Sequence, residues 1–152
     1  MTAHVFDTSA LAKLYHQEPG TAAIEELVAA PAARLVISRL TGVEMHSAFA
    51  KMVRTGRLSP AAFLLFVGRL RSDLRTKRFE VVRLIGRHHD EAERLIGRHG
   101  LTHNLRTQDA IQLAVALGEN TPAEPVTLVT TDVALGVVAA LEGLTVINPD
   151  RE

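Results

Sequence analysis

The sequence has no cysteine and no tryptophan, and its 17 basic side chains are balanced by 17 acidic ones. The lack of cysteine excludes a disulfide scaffold, catalysis by a thiol and zinc bound by cysteine. No apolar run approaches the roughly 18 residues that a membrane span needs. The N-terminus also lacks the basic and apolar regions of a signal peptide. We therefore expect a protein of the cytoplasm that does not associate with membranes.

The residues that are present fit one globular domain. The chain has 152 residues, of which 47% are hydrophobic and 22% charged. These values exclude disordered and fibrous proteins. Folding a chain of this length can bury roughly 70% of the unfolded surface, so a core is possible without disulfides. We predict a single domain over residues 1–152.

The charges are distributed unevenly along the chain. Residues 1–50 carry three basic and five acidic side chains, residues 51–106 carry thirteen and five, and residues 107–152 carry one and seven. A basic central block can mark a face that binds a polyanion, or its arginines can coat solvated helices. Composition leaves both interpretations open.

Short apolar runs alternate with helical patterns throughout the sequence. The predicted strands span residues 4–6, 35–37, 79–84, 126–130 and 144–147. The predicted helices span residues 9–15, 21–30, 39–54, 60–75, 89–99, 107–117 and 133–142. This alternation is typical of an α/β domain in which helices cover both faces of a parallel sheet.

Four acidic residues occupy notable places in this pattern. Asp7 and Asp132 directly follow predicted strands, and ligands of open α/β sheets bind beyond the carboxyl ends of the strands. Asp109 lies in the first turn of a helix, and Glu44 lies inside the third helix. Taken singly, Asp7 and Asp132 could be helix N-caps and Asp109 could interact with the helix dipole. Glu44 could be a solvated side chain.

Together, the four acids point to a bound cation. Like charges raise each other's pKa unless a cation lies between them. Oxygen donors without cysteine suit Mg²⁺ or Mn²⁺. Carboxylate clusters of this kind bind one or two such ions and support in-line attack at a phosphate.

Five segments resemble a known family. Residues 5–15 (VFDTSALAKLY), 38–51, 105–114 (LRTQDAIQLA), 129–132 (VTTD) and 143–149 are similar, in order, to the PIN domain of VapC-type toxin ribonucleases. Two positions depart from relatives, because Gln108 and Gln112 stand where a hydrophobic residue and a histidine are frequent. Neither departure falls on the position of an acid, so we interpret both as bearing on substrate preference and not on the metal site.

The resemblance implies a three-layer α/β/α fold with a central, mostly parallel five-stranded sheet. It implies an Mg²⁺-dependent endoribonuclease toxin, for which Mn²⁺ could substitute. The RNA substrate would be tRNA or rRNA, and a VapB-type antitoxin would neutralise the toxin. A homodimer and a heterocomplex with the antitoxin are expected. The implied catalytic and metal-binding residues are Asp7, Glu44, Asp109 and Asp132.

Hydroxyl and basic side chains near the acids are candidates for supporting roles. The hydroxyls that could bind metal-bound water or phosphate, or make local cap bonds, belong to Thr8, Ser9 and Thr131. The residues that we predict to contact RNA are Arg106, Lys51 and Arg54. For Arg106 a surface salt bridge is the alternative to a phosphate contact.

Two further groups receive structural interpretations. Four histidines lie around the fifth helix: His88, His89, His99 and His103. They could suggest a metal site or an acid–base pair, but we interpret them as solvated side chains. The helices within residues 38–75 carry apolar side chains on more than one face. We predict that they form an antitoxin or dimer surface together with the first two helices, with core burial as the alternative. These side chains are Phe49, Met52, Phe63, Leu64, Leu65 and Phe66.

Other α/β phosphotransfer proteins fit less well. A haloacid-dehalogenase-like enzyme needs a second Asp two residues after the first, where this sequence has Ser9. A receiver domain needs a lysine after its last strands, and none of the three lysines, Lys13, Lys51 and Lys77, lies there. A catalytically idle PIN domain, acting as a binding or repressor-complex module, stays open as an alternative.

Overall fold

The computed structural model describes residues 2–151, and its elements alternate between strands and helices. The strands are β1 (Ala3–Phe6), β2 (Arg34–Ser38), β3 (Glu80–Val82), β4 (Val126–Val129) and β5 (Thr145–Ile147). The helices are α1 (Thr8–Tyr15), α2 (Thr21–Ala29), α3 (Arg39–Arg54), α4 (Pro60–Arg75), α5 (Gly86–His99), α6 (Thr107–Glu119) and α7 (Val133–Leu141). Within these residues, no helix is both long enough and apolar enough to cross a membrane.

The five strands form one sheet with the order β3-β2-β1-β4-β5, and every pair is parallel. The chain passes from β1 to β2 on one side and returns to β4 on the other side of β1. The strand order therefore reverses between β1 and β4, whose last residues, Phe6 and Val129, are aligned. Such a reversal opens a crevice at the carboxyl edge, which is where α/β sheets bind ligands.

Helices cover both faces of the sheet and create two cores. Along β1, alternate side chains enter different cores, because successive residues of a strand point to opposite faces. Val5 packs in the core formed with α5, α6 and α7, and Phe6 packs in the core formed with α1 to α4. The three-layer α/β/α prediction is confirmed, and the sheet is entirely parallel.

Most predicted element boundaries hold, and the exceptions have local causes. Ser59 caps α4 as expected, since its Oγ accepts a hydrogen bond from the backbone N–H of Ala62 at 3.1 Å. The start of α5 was predicted three residues too late. There the Nδ1 atom of His88 accepts a hydrogen bond from the N–H of Ile85 at 3.1 Å, a cap that is not recognisable from the usual capping residues. Strand β3 is also shorter than predicted.

The interpretation of the histidines as solvated is wrong for two of them. His88 and His99 are buried between α5 and its neighbours. The Nε2 atom of His99 lies 2.7 Å from Oε1 of Glu142, and Arg94 also contacts Glu142. These contacts join α5 to the end of α7, so His99 has a structural role in the packing of these two helices.

The apolar residues of α3 and α4 divide between core and surface. Phe49 and Met52 are buried, so the surface prediction is wrong for them. Leu64 and Leu65, in contrast, expose 70% and 62% of their surface. An apolar groove of about 360 Å³ lies beside Leu64, between α3 and α4. An exposed apolar patch of this kind is typical of an interaction surface.

Candidate active site

Asp7 lies at the mouth of the crevice between β1 and β4. Its backbone N–H donates to the carbonyl of Val129 at 2.9 Å, which places the side chain directly beyond the sheet. Oδ2 accepts hydrogen bonds from Ser9 Oγ at 2.8 Å and from Thr130 Oγ1 at 2.9 Å. Asp7 precedes α1, but its side chain makes no cap bond. The helix-cap explanation therefore fails for this residue.

The surroundings of Asp7 disfavour its negative charge. Burial, which leaves only 6% of the residue exposed, raises the pKa of the carboxyl group. The hydrogen bonds from Ser9 and Thr130 act in the opposite direction, and the charge of Glu44 raises the pKa further. The net effect is a raised pKa, so the ionised form of Asp7 would gain from a nearby cation.

Glu44 is held beside Asp7 by two hydrogen bonds. Its Oε1 accepts from Thr8 Oγ1 at 3.0 Å and from Gln112 Nε2 at 2.7 Å. Thr8 follows Asp7 directly in the chain, so Thr8 joins the end of β1 to α3. Glu44 is partly exposed, and its hydrogen-bond partners place it at the edge of the crevice.

Asp109 and Asp132 are connected by Arg106. Oδ2 of Asp109 accepts from the backbone N–H of Arg106 at 3.1 Å and from its Nε at 3.2 Å. An Nη2 atom of the same guanidinium lies 3.6 Å from Oδ2 of Asp132. The hydrogen bond that Arg106 donates to Asp109 raises the pKa of Arg106, and the charges of Asp132 and Asp7 act in the same direction. All three aspartates therefore share one electrostatic environment.

The two carboxylate oxygens of Asp132 have different roles, one structural and one facing the site. Oδ1 accepts from the N–H of Leu135 at 3.0 Å, which caps α7. The helix-cap explanation is therefore correct for this oxygen, while Oδ2 faces Arg106. The N–H of Asp132 also donates to Thr130 Oγ1 at 3.1 Å.

Thr130 connects the two halves of the site, and the sequence analysis did not identify it. It is buried at the end of β4 and contacts both Asp7 and Asp132. The adjacent pair Thr130 and Thr131 could have indicated it, since only one of two successive hydroxyls can point into the crevice. Gln112 was also missed, because it was related to substrate preference alone, whereas its Nε2 donates a hydrogen bond to Glu44.

The other predicted residues divide between the site and its surroundings. Ser9 and Thr8 bond to acids, whereas Thr131 contributes its backbone N–H, which donates to Ser9 Oγ at 3.2 Å. Lys51 and Arg54 are exposed and lie about 10 and 15 Å beyond Glu44 along the axis of α3. Arg106 is thus the predicted RNA-binding residue that contacts the acids directly.

The donor set fits a hard cation that keeps part of its water shell. Within residues 2–151, no three acidic or histidine side chains already converge on one metal position. Mg²⁺ usually binds through one or two carboxylates and retains several waters. Carboxylates and hydroxyls from four elements surround the crevice, and cysteine is absent from the chain. These donors are the type that Mg²⁺ and Mn²⁺ prefer.

Residues 4–148 match the family model of the PIN domain. The chain belongs to the PIN domain family. Members of this family are generally nucleases and generally use divalent metal ions. The matched range of this PIN domain contains all four candidate acids. Among curated proteins, no sequence matches the chain.

Solved structures share the fold along nearly the whole chain. PAE2754 from Pyrobaculum aerophilum has a TM-score of 0.67 and 24% identity, covering 99% of this chain and 85% of that one. FitAcB from Neisseria gonorrhoeae has a TM-score of 0.70 and 16% identity, covering 96% and 97%. VapBC2 from Rickettsia felis, bound to a DNA fragment from its promoter, has a TM-score of 0.64 and 16% identity, covering 97% and 98%.

Replacing Asp7 by Asn should stabilise this PIN domain at neutral and alkaline pH. Because the pKa of Asp7 is raised on folding, the stability of the wild type falls as pH rises from about 4 through the raised pKa. Asn keeps an oxygen that can accept from Ser9 and Thr130 but carries no charge. The variant should therefore have a higher Tm than the wild type where Asp7 would be ionised. Thermal unfolding at pH 8 measures it.

The gain should disappear near pH 3, where Asp7 is protonated in both the folded and the unfolded chain. Asp90→Asn, at an exposed position on α5, is the matched control and should leave Tm within 1 °C by rough estimate. A lower Tm for Asp7→Asn than for the wild type at pH 8 would contradict the inferred charge penalty.

Proposed function

We propose that this PIN domain is an Mg²⁺-dependent endoribonuclease toxin of the VapC type, and that a cognate antitoxin neutralises it. The observation that carries the proposal is the buried carboxylate of Asp7 at the strand-order reversal, with three more acids around it. Family membership supports nuclease chemistry. The similarity to the solved VapBC2 and FitAcB structures supports the assignment to toxins.

The four acids have different roles in the proposed site. Asp7 and Asp109 would hold the metal, and Glu44 and Asp132 would complete its coordination or orient the attacking water. When bound, Mg²⁺ lowers the pKa of a coordinated water and offsets charge on the phosphate. The hydroxyls of Ser9 and Thr130 keep the Asp7 carboxylate turned toward the crevice.

The reaction is an in-line attack of water on the scissile phosphorus. The bond to the 3′-oxygen of the leaving nucleotide breaks, so the products carry 5′-phosphate and 3′-hydroxyl ends. The ribose 2′-hydroxyl does not react, and the preference for RNA arises from groove shape and backbone contacts. With five phenylalanines and one tyrosine in the chain, base stacking is not the main means of recognition.

Arg106 contacts the scissile phosphate in this proposal. Its guanidinium lies at the site on an exposed side chain and already contacts two carboxylates. A guanidinium can bind phosphate with the same paired geometry that it uses for carboxylate. Lys51 and Arg54 extend the basic surface along α3, where they contact more distant phosphates.

The exposed part of α4 supplies the protein interface. Leu64, Leu65 and the adjacent groove form an apolar surface away from the acids. A second toxin chain or the antitoxin covers this surface. The cut RNA is a tRNA or an rRNA, and its cleavage inhibits translation.

Cleavage should depend on Mg²⁺ and on the acids of the crevice. We expect Asp7→Ala and Asp109→Ala to reduce the cleavage rate by about 100-fold or more, because each removes a metal ligand. The measurement is cleavage of total RNA with Mg²⁺ or with EDTA, followed by sequencing of the new 5′ ends.

Asp90→Ala, which removes an exposed acid on α5, should cleave at the wild-type rate. Circular dichroism and Tm establish that each variant is folded. Equal cleavage by the wild type and by both crevice variants would exclude a metal nuclease. A folded wild type without cleavage would favour an idle PIN domain that acts as a binding module.

Replacing Arg106 by Ala should weaken RNA binding regardless of sequence, since it removes one phosphate contact. We expect affinity to fall by about fivefold and the slope of log K against log salt to decrease by about 1. Fluorescence anisotropy with labelled RNA in EDTA measures both without cleavage. Arg71→Ala, at an exposed position on α4, is the control. An unchanged salt slope for Arg106→Ala would argue against the phosphate contact.

Replacing both Leu64 and Leu65 by Glu should disrupt self-association. Both side chains are exposed, so Tm should stay within about 2 °C of the wild type. Sedimentation should show a dimer for the wild type and a monomer for the variant. A wild type that sediments as a monomer would remove the homodimer from the proposal.

A further inference from the structure

Gln112 is a polar residue in an apolar environment. It lies on α6 and is 1% exposed, next to the core that α6 forms with the sheet. The other buried residues of α6 after the first turn are Leu113, Ala114, Val115 and Ala116. Gln112 lies three positions after Asp109, so both side chains lie on the same face of α6.

The side-chain amide of Gln112 bonds to two residues of α3. Nε2 donates to Oε1 of Glu44 at 2.7 Å and to Oγ1 of Thr41 at 3.0 Å. A carboxylate only accepts hydrogen bonds, so the nitrogen of the amide has to face Glu44. The two amide protons are therefore both used, one on a charged acceptor and one on a hydroxyl.

These bonds join the two helical layers of the fold. Helix α6 packs on one face of the sheet and α3 on the other. Glu44 and Gln112 meet beyond the carboxyl edge, where no strand separates the layers. Thr8 donates to the same Oε1 atom of Glu44, at 3.0 Å. Both hydrogen bonds therefore converge on one oxygen of the carboxylate.

We propose that Gln112 is a positioning residue for Glu44. By holding Oε1 together with Thr8, it fixes the rotamer of Glu44 and leaves Oε2 to face a cation. This inference rests on the proposed metal site and deepens it. A buried amide needs a hydrogen-bond partner, whereas a thioether of similar length would fill the same space without one. The feature specific to Gln112 is thus its hydrogen bond to Glu44.

The affinity for Mn²⁺ tests the positioning role of Gln112, because the packing of this side chain alone does not determine that affinity. Titration calorimetry with Mn²⁺ is carried out on the wild type, on Gln112→Met and on Gln112→His. Met keeps the length of the side chain and removes the donor, and we expect its affinity for Mn²⁺ to fall about 10-fold. The imidazole Nε2–H of His lies about as far from the backbone as Gln Nε2, so Gln112→His should recover affinity to within about threefold of the wild type.

Gln108→Met is the matched control, since Gln108 lies on the same helix but is exposed. Its Mn²⁺ affinity should equal that of the wild type. The positioning role is overturned if Gln112→Met binds Mn²⁺ as the wild type does, even if its Tm falls. It is also overturned if Gln112→Met and Gln112→His lose affinity equally.

The affinity and cleavage assays separate this inference from the proposed function. A wild type that binds Mn²⁺ but cleaves no RNA contradicts the nuclease proposal, and a loss of affinity in Gln112→Met then still supports the positioning role. A wild type that binds no Mn²⁺ overturns both. Cleavage by the wild type with unchanged Mn²⁺ affinity in Gln112→Met overturns the positioning role alone.

Discussion

The burial of a carboxylate beside other acids at one edge of the sheet is the constraint around which this structure is organised. Four acids from four different elements approach the crevice between β1 and β4, and burial, assisted by the charge of Glu44, raises the pKa of Asp7. The fold offsets their charge with hydroxyl donors, one guanidinium and one buried amide. The neutral total of the sequence hides this local excess of negative charge.

The parallel sheet explains why such an arrangement can be built from a short chain. Parallel strands end at the same edge, so residues after β1 and β4 meet although more than 120 positions separate Asp7 from Thr130. The helices that return from this edge begin beside it, so Asp109 in the first turn of α6 and Glu44 in the second turn of α3 lie close to the crevice. The sheet thus supplies the geometry, and the side chains adjust the electrostatics.

The sequence was sufficient to predict the parts that follow from pattern. Strand ends placed Asp7 and Asp132 at the edge, and alternating strands and helices predicted the three layers. Thr130 and Gln112 could not be predicted in this way, because their roles depend on partners far away in the chain. The burial of His88 and His99 was missed for the same reason. A polar residue on a polar-looking helix gives no local sign that another helix covers it.

The two oxygens of Asp132 have a consequence for the dynamics of the site. One oxygen holds the first turn of α7, and the other faces the crevice. Order in that turn and the position of the acid are therefore thermodynamically linked. A ligand that binds the acid would slow the fraying of α7, and any partner that unwinds the start of α7 would withdraw one charge from the crevice. The end of a helix can in this way act as a control point for a site that it does not otherwise contact.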